Sequence, residues 1–351
     1  MIGLAPRAAI DLAIGDALGR VRNRAESLGG GFPALAGAVS RAAGGGKRFR
    51  PALVTAAFES FGGDLDESPA LYPVAAAFEL LHTAFVIHDD VIDHDTVRRG
   101  VPNVSGEFRT RARRNGADPA GAALLGDAAA ILAGDLLLHE AFRLVALADL
   151  DAATRAHLFD LFDDAVLVSA AGELADVEHS VAADLAEPGA ILDATYNKTA
   201  IYSFSAPLEA GAVLAGAPHD AQIVLHGAGG RLGLAYQLVD DLIGAFGSRE
   251  QAGREAGVDL RESKRTPLVA LARESALWPR VSDALALAHT GPIAVREAQR
   301  VLEESGARLR LRALIDETLD EVRAASHEEA LTPAAGVLLR ELADGIEGRV
   351  P

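Results

Sequence analysis

Residues 79–100 read ELLHTAFVIHDDVIDHDTVRRG. Apolar side chains at Phe78, Leu81, Phe85 and Ile92 recur at helical intervals. On that helix Asp89 and Asp93 share one face, one turn apart, with Asp90 beside them. Like charges so placed destabilise a helix by about 0.2–0.5 kcal/mol per pair unless a cation neutralises them. A hard divalent cation such as Mg²⁺ binds through one or two carboxylates and completes its shell with water and phosphate oxygens. With Arg98, Arg99 and Gly100 following directly, the stretch suits a Mg²⁺–diphosphate site at the end of a helix.

The same periodicity runs through Leu53, Ala56, Ala57 and Phe61, and through Leu232, Ala235, Tyr236 and Val239. No alternating strand pattern persists. Loop signals fall at GGGFP (29–33), GGDLDESP (62–69), GADPAG (116–121), GAPHD (216–220) and HTGP (289–292). The prediction is one all-α domain spanning residues 1–351, a bundle of about ten helices, some of them buried centrally because their apolar faces are broad.

Composition narrows the function. A net charge of −17 argues against nucleic-acid partners and anionic membranes, so any anionic ligand needs a local basic pocket. With no cysteine, disulfides, zinc–thiolate sites, iron–sulfur clusters and thiol catalysis are excluded, and a reducing, cytoplasmic setting is expected. The first twenty residues carry Asp11 and Asp16 and lack the pattern of a signal peptide. The most apolar region, GAALLGDAAAILAGDLLLHEAF (121–142), is interrupted by Asp127 and Asp135, and no stable membrane insertion is expected.

Three Asp-Asp pairs occur, and about two would arise by chance in a chain this rich in aspartate. Asp163–Asp164 has no third acid and no basic follow-up and reads as a solvated helix face. YQLVDDLIG (236–244) places Gln237 about one turn before Asp240 and Asp241, making a second candidate acidic motif. Two basic groups accompany the acidic ones. GGGKRFRP (44–51) offers Lys47, Arg48 and Arg50 after three glycines that permit close backbone approach, without the spacing of a P-loop. Arg254, Arg261, Lys264 and Arg265 follow the second motif. RTRARR (109–114) reads as a solvated loop, and His88 and His94 as residues flanking the Asp89/Asp93 face.

Six motifs, GGGKRFRP, ELLHTAFVIHDDVIDHDTVRRG, GDAAAILAGDLLL, NKTAIYSFSAP, AYQLVDDLIGAFG and DLRESKRTPLVAL, stand in the order found in trans-isoprenyl diphosphate synthases. The chain resembles that family, the polyprenyl synthetases, from about residue 40 to 270. The resemblance implies an all-α isoprenoid-synthase-type bundle around a deep central cavity. It implies that Asp89, Asp90 and Asp93 hold two Mg²⁺ on an allylic diphosphate, and that Asp240 and Asp241 hold a third across the cavity mouth. Arg98, Lys198, Gln237 and Lys264 would contact that diphosphate; Lys47, Arg50, His82 and Arg99 would bind isopentenyl diphosphate; Thr199 would help position the reacting carbons. Ionisation, condensation and elimination would follow, with metals and basic side chains stabilising the departing diphosphate in a dry cavity. The family also implies a homodimer.

Two positions depart from the family pattern. Gly244 stands where the second motif often carries a third aspartate, which predicts weakened support for the third metal. Arg254 stands where a lysine commonly contacts the diphosphate, keeping the charge with altered geometry. Product length is expected to depend on Phe85, one turn before Asp89, with Leu81 below it and the small Ala84 beside it. That arrangement favours a C20 product, geranylgeranyl diphosphate, with C15 farnesyl diphosphate the nearer alternative. Other classes remain open at this point: an HD-type metal phosphohydrolase using His82 and the IHDD stretch, a terpene cyclase, and a non-catalytic synthase subunit.

Overall fold

A computed structural model describes residues 4–184, 186–252 and 257–351. In chain order its helices are α1 (Leu4–Leu28), α2 (Phe32–Ala42), α3 (Phe49–Ser60), α4 (Leu71–Ile92), α5 (Val104–Arg114), α6 (Pro119–Ala146), α7 (Ala152–Val181) and α8 (Pro188–Ala200). A π-helical turn, Ile201–Ser205, leads into α9 (Ala206–Leu214) and α10 (His219–Phe246). Then come α11 (Arg249–Ala252), α12 (Val258–Arg261), α13 (Pro267–Arg273), α14 (Trp278–Leu287), α15 (Pro292–Glu304), α16 (Ala307–Ala325) and α17 (Pro333–Glu347). The all-α expectation holds, with more and shorter helices than the apolar spacing suggests. Proline in the first turn of α13, α14, α15 and α17 restarts the chain there, because proline suits a helix start and blocks continuation. The five predicted loop signals all fall at helix junctions.

The chain divides into two compact units, Met1–Phe162 with Ala210–Gly216, and Asp163–Glu209 with Ala217–Pro351. In the first, α4 packs against α6, α1 and α3. It is apolar nearly all round, and Val74, Ala75, Ala76, Ala77, Phe78 and Leu80 are wholly buried, as expected of a helix at the centre of its layer. Phe78 stacks at 4.5 Å on Phe162, which meets Phe142 edge-on at 5.6 Å. In the second unit α10 holds the equivalent place, packed on α8, the π turn, α16 and α17. Gly229 and Gly233 let the backbone of the π turn and α8 come so near that a Cβ at either would lie 2.6 or 2.5 Å from a Cα of Ser205 or Ala200.

Three local features differ from expectation. RTRARR is the C-terminal half of α5 and not a loop, because Asn103 caps the helix by accepting the Gly106 N–H at 2.9 Å. Arg109 is thereby placed to donate to Asp127 at 2.8 Å. A small antiparallel hairpin, β1 (Val97–Arg98) with β2 (Val101–Pro102), follows α4. Its turn residues Arg99 and Gly100 both take positive φ, 53° and 79°, the requirement of a tight type I′ connection. Finally, α4 and α6 are long and apolar enough, by composition, to cross a membrane. Two thirds of the α4 window is buried inside the protein, and on α6 Asp127 and Asp135 face Arg109 and His88.

Candidate functional site

At the end of α4 Asp89 and Asp93 take the spacing that the periodicity requires. Asp93 caps the helix, and its N–H donates to the Asp89 carbonyl at 2.8 Å, so the two residues stand one turn apart. Asp90 is buried, and Arg98 returns along the hairpin to meet it with Nε at 2.8 Å and a terminal nitrogen at 2.6 Å, while reaching Asp89 at 3.6 Å. Burial raises the Asp90 pKa, opposed by the hydrogen bond and charge of Arg98. Asp89 and Asp93 are more open. The hairpin thus sets one arginine on the carboxylates and leaves the next, Arg99, exposed at its tip.

Two turns before Asp89, His82 feels the charges of three arginines. Burial first, then the charges of Arg50, Arg98 and Arg99, hold its imidazole well below the usual range, so it is neutral at physiological pH. In a chain of net charge −17 the charges acting on this neutral ring are those of three arginines, a local field that favours an anion. Of the GGGKRFRP loop, Lys47 is exposed and Arg50 is half-buried in the first turn of α3. Arg48 turns inward, with Nε 2.8 Å from Asp11 and a terminal nitrogen 3.1 Å from Glu79. It fastens the loop. Of the proposed chain-length residues, Leu81 and Ala84 are fully buried and Phe85 is half-buried.

The second unit gathers a separate set. On α10 Gln237 donates to Asp241 at 3.3 Å, and Asp240 accepts from Arg349 at 2.5 Å. Lys198, at the end of α8, bridges Asp176 at 2.9 Å and Glu173 at 3.0 Å on α7, with the half-buried Thr199 next to it. Lys264 lies 3.9 Å from Asp259 and 3.6 Å from Glu262. Arg265 donates to the His179, Ala182 and Asp184 carbonyls, closing the C-terminal end of α7. Arg254 lies outside the described residues. The lone pair Asp163–Asp164 is exposed, as its sequence context suggests.

Asp241 is the most perturbed carboxyl of this set. Burial, then the negative charges of Asp259, Asp240 and Asp176, push its pKa up to about 8 against the hydrogen bond from Gln237. An acid whose folded pKa is raised stabilises the fold fully below its unfolded value near 4, and that contribution is lost as pH rises through about 8. Without divalent metal, the melting temperature of the wild-type chain is therefore expected to fall more steeply between pH 5 and 8 than that of Asp241→Asn. Calorimetry at the two pH values checks this, and parallel slopes for the two proteins contradict it.

The donor set fits magnesium better than a transition metal. Among the described residues no three His, Asp or Glu side chains converge to hold an ion through protein atoms alone. The carboxylates stand in pairs beside basic groups, which suits a hard cation that keeps water and phosphate oxygens in its shell.

Residues 33–299 match the Polyprenyl synthetase family model. The chain belongs to the polyprenyl synthetase family. It is 36% identical over 227 residues to a geranylgeranyl diphosphate synthase of Sulfolobus acidocaldarius, covering 64% of this chain and 62% of that one. It is 33% identical over 262 residues to a (2E,6E)-farnesyl diphosphate synthase of Mycobacterium bovis, covering 75% of this chain and 62% of that one. The chain thus spans 62% of the length of each of these curated relatives. A crystal structure of geranylgeranyl pyrophosphate synthase from Corynebacterium glutamicum, complexed with isoprenyl diphosphate and magnesium, superposes with a TM-score of 0.88 at 27% identity over 98% of both chains.

In this polyprenyl synthetase the glycine that replaces the third aspartate has a structural reason. A Cβ on Gly244 would lie 1.6 Å from Oδ2 of Asp259. The Asp259 carboxylate, from α12, fills the space that a side chain at 244 would take, and among the charges acting on Asp241 it ranks first. A carboxylate from fifteen positions away thus stands beside Gly244 and acts on Asp241. Asp259 lies within the DLRESK motif, but its role depends on a tertiary approach that spacing does not reveal. Asp176 and Glu173, the partners of Lys198, are missed by sequence reasoning for the same reason, and so is Arg349.

Proposed function

We propose that this polyprenyl synthetase, residues 1–351 acting as one prenyltransferase domain, joins isopentenyl diphosphate to an allylic prenyl diphosphate in a Mg²⁺-dependent reaction. The observation that carries this is the end of α4, where Asp89 and Asp93 stand one turn apart for a cation and Arg98 returns beside them for an anion. The names of the relatives and the magnesium and isoprenyl diphosphate in the Corynebacterium glutamicum complex support it. Asp89, Asp90 and Asp93 would hold two ions and Asp240 and Asp241 a third; bound Mg²⁺ supplies neutralisation of charge on the leaving diphosphate.

The protein's own groups do the rest. Arg98, Lys198, Gln237 and Lys264 bind the allylic diphosphate, with Arg254 assigned to the same role from its motif. Lys47, Arg50, His82 and Arg99 bind isopentenyl diphosphate, and neutral His82 can donate a hydrogen bond to a phosphate oxygen without charge of its own. The bond from the allylic C1 to oxygen breaks, the C3–C4 double bond of isopentenyl diphosphate attacks C1, and a proton is lost from C2 to the released diphosphate. Thr199 helps position the carbons. Incubating the chain with Mg²⁺, labelled isopentenyl diphosphate and each of the C5, C10 and C15 primers tests this, with C20 diphosphate expected as the end product from all three. Product that accumulates at C15 from the shorter primers would replace geranylgeranyl by farnesyl diphosphate as the assignment.

The phosphohydrolase reading fits less well. The charges acting on His82 are cationic, so it is not arranged as the metal-ligating histidine of a His–Asp pair. Both acidic motifs keep their carboxylates, which argues against a non-catalytic subunit. Phe85, half-buried one turn before Asp89, is the side chain assigned here to stopping a growing tail. Phe85→Ala is expected to shift the end product upward by at least one C5 unit, read by chromatography of dephosphorylated products; an unchanged product length contradicts the assignment.

For the partner, we propose a second copy of this chain on the outer face of α6. Leu124 and Ile131, and Leu125 and Leu132, repeat at seven-residue intervals and are 41–72% exposed, an apolar stripe of coiled-coil spacing. Sedimentation should give the mass of a dimer for the wild-type chain and of a monomer for Leu132→Arg. A wild-type monomer sinks the proposal.

A further inference from the structure

Arg349 follows α17 and lies against α10. Its Nη2 donates to Oδ1 of Asp240 at 2.5 Å, and its guanidinium carbon stands 4.2 Å over the ring of Tyr236, one turn earlier on the same helix. The arginine is held there by its neighbours. Its N–H donates to the Ile346 carbonyl at 3.1 Å, Arg308 donates to the Pro351 carbonyl at 3.1 Å, and Arg323 pairs with Glu347 at 2.5 Å. Yet the guanidinium is used on one side only. Its other terminal nitrogen, Nη1, is buried and has no hydrogen-bond partner among the described residues. A purely structural arginine–carboxylate pair gains most by using both arms of the fork, and a buried unpaired donor is destabilising.

We propose that Arg349 is a further diphosphate-binding residue of the second acidic motif, one that holds Asp240 until metal and diphosphate arrive and then transfers to the diphosphate. The inference rests on the reading of Asp240 as a metal ligand. A guanidinium already paired with the Asp240 carboxylate repels a divalent cation and partly neutralises the charge that would attract it, so Arg349 competes with metal that arrives alone. Metal that arrives with diphosphate changes the balance, because phosphate oxygens give the displaced guanidinium, including its unused Nη1, an anion to bind. Stacking on Tyr236 keeps the side chain beside the motif through the exchange, since a cation over an aromatic face retains attraction without a carboxylate partner.

The two halves of the proposal predict effects of opposite sign. In Arg349→Gln, Mn²⁺ titrated by electron paramagnetic resonance without substrate is expected to bind the Asp240-dependent site roughly two- to fivefold more tightly, the scale of one partly exposed ion pair. In the same variant, inorganic diphosphate titrated in saturating Mg²⁺ is expected to bind about tenfold more weakly, the scale of one charge-assisted hydrogen bond. Arg349→Lys, which keeps the charge and loses the fork, should lie between the two proteins in both titrations. A merely structural role moves both affinities in the same direction or neither, and either result overturns the proposal. Asp240→Asn distinguishes failure of the inference from failure of the reading beneath it. If it removes no Mn²⁺ site, the reading of Asp240 fails and the inference with it; if it removes a site that Arg349→Gln leaves unmoved, the inference alone fails.

Discussion

Asp89→Asn is expected to lower kcat roughly 10²- to 10³-fold, the loss seen when one preorganised electrostatic group is removed from a developing negative charge. Converted to a barrier, this is about 3–4 kcal/mol. The expectation follows from position. Asp89 is one turn from Asp93 and partly open, and Arg98 approaches it to 3.6 Å against 2.6 Å for Asp90, so a cation can reach its carboxylate. Its neighbour gives the control. Asp90 is buried and bound by Arg98 at 2.6 Å, so Asp90→Asn removes the buried partner of that pair and should lower the melting temperature as well as the rate. Rates and thermal melts of the two variants, measured side by side, check the distinction. A rate loss at Asp89 smaller than tenfold, or equal destabilisation by both variants, would contradict these two roles.

Gly244→Asp is expected to damage the protein, although it restores the aspartate common at that position in the family. The new Cβ would lie 1.6 Å from Oδ2 of Asp259, and the new carboxylate would join Asp240, Asp241 and Asp259 in a region that already pushes Asp241 up to about 8. Overpacking a buried site and adding an uncompensated charge together predict a loss of about 3 kcal/mol or more. If Asp259 stands in for the missing residue, Gly244→Asp combined with Asp259→Gly relieves both the clash and the extra charge. The double variant should recover stability and part of the activity that either single change removes. Denaturant melts of the four proteins form a complete cycle. Additive losses, with no recovery in the double variant, would show that Gly244 and Asp259 do not exchange roles.

The fold class was legible in the sequence because helix periodicity and loop punctuation are local. Phe78, Leu81 and Phe85 announce α4, and Gly62, Gly116 and Gly216 take the positive φ that ends or separates helices. The candidate site was legible where its residues share one helix: Asp89 with Asp93, and Gln237 with Asp240 and Asp241. It was not legible where a partner comes from elsewhere in the chain. Nothing local to Arg48 says that it turns in to Glu79 while Lys47 remains exposed. Nothing local to Gly244 says that the Asp259 carboxylate lies against it, or to Asp240 that Arg349 stands on it. The hairpin after α4 escaped notice for a different reason. Two-residue strands are too short to show alternation, and Arg99 at positive φ is an uncommon choice for a tight turn.

Formation of a carbon–carbon bond between two diphosphates is the claim on which the rest depends. Mixing the purified chain with Mg²⁺ and equimolar isopentenyl diphosphate and C15 allylic diphosphate, then following phosphorus by NMR and carbon by mass spectrometry, tests it directly. One C20 diphosphate and one inorganic diphosphate are expected for each pair consumed, with no turnover when metal is chelated. Release of phosphate or prenyl alcohol with both carbon skeletons unchanged would contradict it.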